Sequence, residues 1–136
     1  MGSIVQVTIP WPPTETSSNA SRQGAWRRKS EAAKKYKTDC AAMCLAQKVR
    51  PFDHEGDLPL RVIFCPPSNR RIDWDNASNR CKQGFDAVAE AIGIDDGRWW
   101  PVLVEKGPIV DGGKVVLVFG AAETGAVAVP FRGQVT

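Results

Sequence analysis

Apolar and polar residues alternate along SIVQVTI (3–9), placing Val5, Val7 and Ile9 on one side of an extended chain until Pro10 ends the pattern. This predicts a strand. The next stretch, PWPPTETSSNASRQG (10–24), is rich in Pro, Ser and Thr and reads as a loop, long for a compact domain. Helical spacing takes over from about Trp26 to Val49, where Ala33, Tyr36, Cys40, Met43 and Cys44 form a stripe, and Pro51 stops it. LRVIFCP (60–66), WWPVLVEK (99–106) and KVVLVF (114–119) predict three more strands, the last two joined through the turn-like PIVDGG (108–113). A second helix is predicted from about Asp75 to Ile92, anchored by Cys81, Phe85, Val88 and Ile92. The expected architecture is α+β: a mixed sheet of about four strands with two main helices packed on it. The Gly- and Ala-rich tail, about 121–136, has no assignable pattern.

A chain of 136 residues makes one domain of ordinary size, and residues 1–136 are read as that domain. No apolar run is long enough to span a bilayer and no leader precedes the first strand, so the expected setting is cytoplasmic. The four cysteines, Cys40, Cys44, Cys65 and Cys81, lack CxxC spacing, and the one histidine, His54, lies in a separate polar stretch. That argues against zinc and for small buried apolar residues in a reducing compartment.

The net charge of +3 is unevenly distributed. Residues 1–50 carry nine basic against three acidic residues, and residues 51–136 nine against twelve. Between Arg22 and Lys37 seven basic residues face one acid, Glu31. Such a density attracts a polyanion, although a solvated helix face would look the same in sequence.

NRRIDWDN (69–76) places Asp73 and Asp75 two residues apart, after two arginines and before the second helix. In an extended segment, residues two apart point to one side. Two carboxylates about 5 Å apart repel by roughly 3–4 kcal/mol at an effective dielectric of about 20, so the pair calls for a cation. Arg70 or Arg71 supplies one, and a divalent metal does so better. One acid is also explained as a helix N-cap. On a wheel, Lys82 falls within about 20° of Asp75, positioned either to stabilise charge on a phosphate or to pair with Asp86. The GIDDGRWW turn (93–100) carries Asp95 and Asp96; returning a third carboxylate to the pair would suit Mg²⁺. Trp74, alternating with the acids, is expected to face inward and pack. Trp26 reads as a core residue, contact with a bound nucleic acid being its other reading, and of Trp99 and Trp100 one is expected to be buried and the other to lie at a dimer interface.

Several stretches resemble the RusA family of Holliday junction resolvases, more closely its phage and prophage branch: VTIPWPP (7–13), SNASRQGAW (18–26), RRIDWDN (70–76), Lys82 with GFDAVAEAIGIDDGRW (84–99), and GGKVVLVF (112–119). The joint order of D-x-D-N, a downstream lysine and the D-D turn is what makes the likeness specific. The resemblance implies a homodimeric, Mg²⁺-dependent endonuclease, Mn²⁺ being the alternative metal, with no small-molecule cofactor. It cuts four-way junction DNA by paired symmetric incisions. The family acids fall on Asp73, Asp75 and Asp96, with Asp95 beside the last, and the family lysine falls on Lys82. Some members have a span shorter by one helical turn before that lysine, which would bring Asn79 or Arg80 into its role; the phage-type members have the longer span. Asn19, Arg22, Arg27, Arg28, Lys34, Lys35, Arg70 and Arg71 are the expected DNA contacts.

Two other classes fit parts of the pattern. D-x-D also binds metal-nucleotide in glycosyltransferases, but no Gly-rich phosphate loop accompanies it here. A non-catalytic DNA-binding protein on the same scaffold would keep the basic segment without needing the acids.

Overall fold

The computed structural model of the chain describes residues 4–14 and 25–120. Asn19, Arg22 and the tail 121–136 lie outside them. The elements run β1 (Val5–Pro10), α1 (Ala25–Ala46), β2 (Leu60–Cys65), α2 (Trp74–Arg80), α3 (Lys82–Ile92), β3 (Val102–Lys106) and β4 (Lys114–Phe119), with a 3-10 turn at Asp96–Arg98 before β3. The strands form one mixed sheet in the order β1-β4-β2-β3. β4 is antiparallel to both β1 and β2, with Phe119 opposite Val5 on one side and Leu60 on the other. β2 and β3 are parallel, Leu60 opposite Val102 and Phe64 opposite Lys106. The α+β class with a mixed four-stranded sheet is as expected.

β4 can occupy the middle because KVVLVF offers apolar side chains to both faces, the pattern of a strand covered on both sides. Val115, Leu117 and Phe119 enter the main core with Val7, Ile9, Leu60, Val62 and Phe64, under Tyr36, Cys40 and Cys44 of α1 and Cys81, Val88 and Ile92 of α3. Each fully buried Val, Leu or Ile among these contributes roughly 1.5–3 kcal/mol. On the opposite face Ile63, Cys65, Val116 and Val118 form a smaller cluster. Arg61 is buried on this face and its guanidinium pairs with Glu105, leaving Nη1 without a partner.

The helix predicted to run to Val49 ends at Ala46. Lys48 adopts φ 62°, its N–H bonds to the Leu45 carbonyl and the Val49 N–H to the Cys44 carbonyl, both at 3.0 Å. This left-handed closure satisfies carbonyls at the helix end before Pro51 is reached. The single helix predicted over 75–92 starts one residue earlier, at Trp74, and is interrupted at Cys81, whose N–H is shared between the Ala77 and Ser78 carbonyls at 3.2 and 3.1 Å. The ladder continues from Phe85 N–H to the Cys81 carbonyl, so α2 and α3 behave as one jointed rod.

That rod approaches α1 and β1 most closely at Gly84. A Cβ there would lie 2.9 Å from Ile9 Cδ1, 2.9 Å from the Tyr36 ring and 3.0 Å from Cys40 Sγ. The ring cannot swing away, because its hydroxyl donates to the Pro10 carbonyl at 2.6 Å. Burial pushes the Cys40 and Cys81 thiols up to about 12 and the Tyr36 phenol higher still, so this contact zone is uncharged. All four cysteines are free and buried, as their spacing suggests. Gly84→Ala gains about 1 kcal/mol of helix propensity but forces repacking that costs roughly 1–3 kcal/mol. A net destabilisation is expected, read as a lowered denaturation midpoint with unchanged m-value.

Candidate active site

Asp73 leaves the loop after β2 in an extended conformation, φ −90° and ψ 111°, and caps α2. Its Oδ1 accepts the Asp75 N–H at 3.0 Å and the Asn76 N–H at 3.4 Å. The capping interpretation thus holds for this acid, while its other oxygen has no hydrogen-bond partner among the described residues. Asp75 is exposed in the first turn of α2. Neither acid takes part in an ion pair among the described residues; Arg70 and Arg71 are nearby in sequence but unpaired with them. The arginines therefore do not supply the charge that the pair calls for.

Asp73 opens onto a cleft of about 360 Å³ lined by Trp11, Ser68, Arg70, Arg71, Asn76 and Arg80. Arg80 points back along the chain: Nη2 donates to the Pro12 carbonyl at 2.6 Å and Nε to the Pro13 carbonyl at 3.2 Å. It ties the segment leaving β1 to α2. The sequence carries no signal for that strap; the Asn of D-x-D-N was the available hint for Asn76.

Trp74 does not pack inward. It is 62% exposed and overhangs a separate, more apolar cavity of about 530 Å³, lined also by Phe64, Ile72, Val102, Val104, Glu105 and Lys106. The side chain faces a groove beside the sheet edge rather than the core, apart from the cleft that Asp73 lines.

Asp95 and Asp96 occupy the turn before β3. The Asp95 side chain accepts the Gly97 N–H at 2.9 Å, leaving Asp96 exposed. Arg98 fixes the turn by donating to the His54 and Gly56 carbonyls, and the Arg98 carbonyl accepts the Leu58 N–H at 2.7 Å. This places Asp96 by the start of β2 and β3, whereas Asp73 follows the end of β2. The intervening α2–α3 rod spans about 25 Å at about 1.5 Å per residue. Consistently, no group of three His, Cys, Asp or Glu side chains among the described residues is placed to hold a metal. The chain brings Asp73 and Asp75 together and keeps Asp96 apart.

Lys82 opens α3, exposed, with no ion pair to Asp86 or any other described residue. On α1, Arg27, Arg28 and Lys34 are exposed, and the Arg27 guanidinium stacks 5.7 Å from the ring centroid of Trp26, itself 67% exposed and no part of the core. Lys35 pairs with Asp39 at 2.9 Å, and Lys37 bridges to Glu90 of α3 at 2.7 Å. Trp99 is buried, edge-on to Phe85 and Phe119, and Trp100 is exposed.

The capping role separates two substitutions at one position. Asp73→Ala is expected to cost about 1 kcal/mol, whereas Asp73→Asn, an equally good cap, leaves stability nearly unchanged. Thermal unfolding of the two variants checks this.

No family model matches the chain. An uncharacterized protein of Xylella fastidiosa (strain Temecula1 / ATCC 700964) is 32% identical over 113 residues, covering 82% of this chain and 72% of that protein.

Proposed function

The chain belongs to the family of that Xylella fastidiosa protein, and we propose that it is a Mg²⁺-dependent endonuclease that resolves four-way DNA junctions as a homodimer, by paired symmetric incisions. The observation that carries this reading is Asp73, in no ion pair among the described residues, lining a cleft with Arg70 and Arg71, and Asp75 exposed and equally unpaired beside it in the first turn of α2. A structural ion pair would have consumed those charges. A phosphodiester and a divalent cation together use both signs.

The donor set suits the metal. Mg²⁺ prefers hard oxygens and is commonly held by one or two carboxylates together with waters and substrate phosphates, which Asp73 and Asp75 can provide. When bound, the ion would supply Lewis-acid polarisation of the scissile phosphate and a water of lowered pKa, giving 5′-phosphate and 3′-hydroxyl ends. Asp73 keeps one oxygen on the α2 cap, which fixes its carboxylate, and Asp75 is carried in the first turn of the same helix. Arg70 and Arg71 neutralise flanking phosphates. Lys82, in phase with Asp75 along the rod, stabilises charge developing on the phosphoryl oxygens. Asp96, a rod's length from the pair, joins the same ion only from a second copy of the chain. Exposed Arg27, Arg28 and Lys34 extend the cationic track along α1, with Lys35 contributing less because Asp39 engages it.

Asp73→Asn and Asp75→Asn are expected to abolish Mg²⁺-dependent cutting of a synthetic four-way junction while preserving its binding. Junction binding by the wild type without any cutting would leave the non-catalytic alternative. If Asp96 acts across the dimer, Asp75→Asn and Asp96→Asn chains, each inactive alone, regain about a quarter of wild-type nicking when mixed and allowed to exchange, because half the dimers then hold one intact site. Neutralising Arg27, Arg28 and Lys34 should reduce the slope of log affinity against log salt by about 0.9 per lost phosphate contact. Fluorescence-anisotropy titrations over a salt series read it directly.

A further inference from the structure

The cleft that Asp73 lines has two kinds of wall. Trp11, Pro12, Pro66 and Pro67 present carbon surface, and the prolines carry no N–H group to offer a phosphate. Arg70 and Arg71, both exposed, bring the donors. The apolar wall is held in place from several directions. Phe64 meets the Trp11 ring edge-on, with the centroids 6.2 Å apart. Gly113, at φ 73°, lies so close that a Cβ there would stand 2.9 Å from both Cβ and Cγ of Trp11 and 3.0 Å from Pro67 Cδ. The Pro12 carbonyl accepts from Arg80 at 2.6 Å, which fixes the residue next to the indole. Trp11 is nonetheless half-buried rather than enclosed like Trp99, and it lines an open space of about 360 Å³.

We propose that this cleft receives one unpaired nucleobase of a DNA strand, stacked on the Trp11 indole while Arg70 and Arg71 hold the phosphates on either side of it. Its volume is near the lower end of the range of about 300–1,000 Å³ for small-molecule sites, room for a nucleotide and too little for a duplex. A bare phosphate would leave the carbon wall unused, and a purely apolar ligand would make no use of the arginines. A nucleotide uses both. Because Phe64, Gly113 and the anchored Pro12 already fix the indole, little side-chain freedom is lost when a base stacks on it. Asp73 lines the same cleft, so the captured base neighbours the phosphate that is cut; this placement rests on the nuclease reading, whereas base capture does not. A preference for branched over linear DNA follows. A base inside a duplex must be unpaired and unstacked before it can enter, and that cost is smallest where pairing is already interrupted, as at a branch point. The DNA's own stacking then makes the selection, through a site that touches one nucleotide.

The five tryptophans give five indole N–H signals in a proton–nitrogen correlation spectrum, and Trp11→Phe identifies the one from Trp11. Titrating the wild type with pentathymidylate in the absence of metal is expected to shift that signal through the ring current of the stacked base. No shift at Trp11, or a shift confined to the exposed Trp26 beside Arg27, overturns the proposal. Affinity is the second readout. Trp11→Leu keeps an apolar side chain against Phe64 but has no ring, and it should bind pentathymidylate about 5- to 150-fold more weakly, the range for one lost base–aromatic stack, while Trp11→Phe keeps most of the affinity. Equal affinity in all three proteins, with circular dichroism unchanged, overturns the proposal as well. Should Trp11→Leu fail to fold, the wild-type spectrum decides alone. Junction cutting by the same wild-type sample in Mg²⁺ keeps the two readings apart. A Trp11 shift without cutting removes the nuclease and leaves the base site; cutting without a Trp11 shift does the reverse.

Discussion

The contact at Gly84 governs how the two charged surfaces stand relative to each other. α1 bears the exposed arginines and lysine, and the α2–α3 rod bears the acid pair and Lys82. These helices meet where the only side chain small enough is a hydrogen atom, above Ile9 and between Tyr36 and Cys40. Protein interiors are nearly incompressible, so an added methyl there cannot be absorbed locally. Separation of the exposed basic residues of α1 from the acid pair is thus a core property, set by packing. The salt bridge from Lys37 to Glu90 crosses the same helix pair at its surface, adding little by comparison.

The fold was legible because its signals are periodic. β4 reads as a strand from its branched run, and Cys81, Val88 and Ile92 fall on one face of the rod and are buried as their spacing requires. Aperiodic features were less accessible. The joint at Cys81 depends on two carbonyls sharing one N–H, which no residue pattern announces. Trp74 was misplaced because alternation identifies opposite sides without identifying which side is core; here its side is a groove by the sheet edge. The capping role of Asp73 was readable from residue type and position. That the Asp95–Asp96 turn stands at the far end of the rod follows from the predicted helix length itself, once that length is set against the proposed convergence of three acids.

Two kinds of charge use coexist in the molecule. Arg61 and Glu105 pair within the sheet, and the cost is the buried Nη1 amino group of Arg61, left without an acceptor among the described residues. At the cleft the opposite arrangement holds: Arg70, Arg71, Asp73 and Asp75 are solvated and mutually unpaired. A charge already spent on a neighbour has little left for a ligand, so the solvated set is where binding energy remains to be gained.

The segment Pro10–Pro13 connects these parts mechanically. Tyr36 of α1 holds the Pro10 carbonyl, Arg80 of α2 holds those of Pro12 and Pro13, and three of the four residues have no N–H of their own. Such a stretch has few torsional freedoms to lose and one backbone donor, at Trp11, with which to extend the sheet. It works as a strut between two helices, anchored through its oxygens and by Trp11, which packs edge-on to Phe64. Loop length there is consequently a calibrated dimension of the molecule: one residue more would leave the chain able to fold, with its two helices no longer referred to a common point.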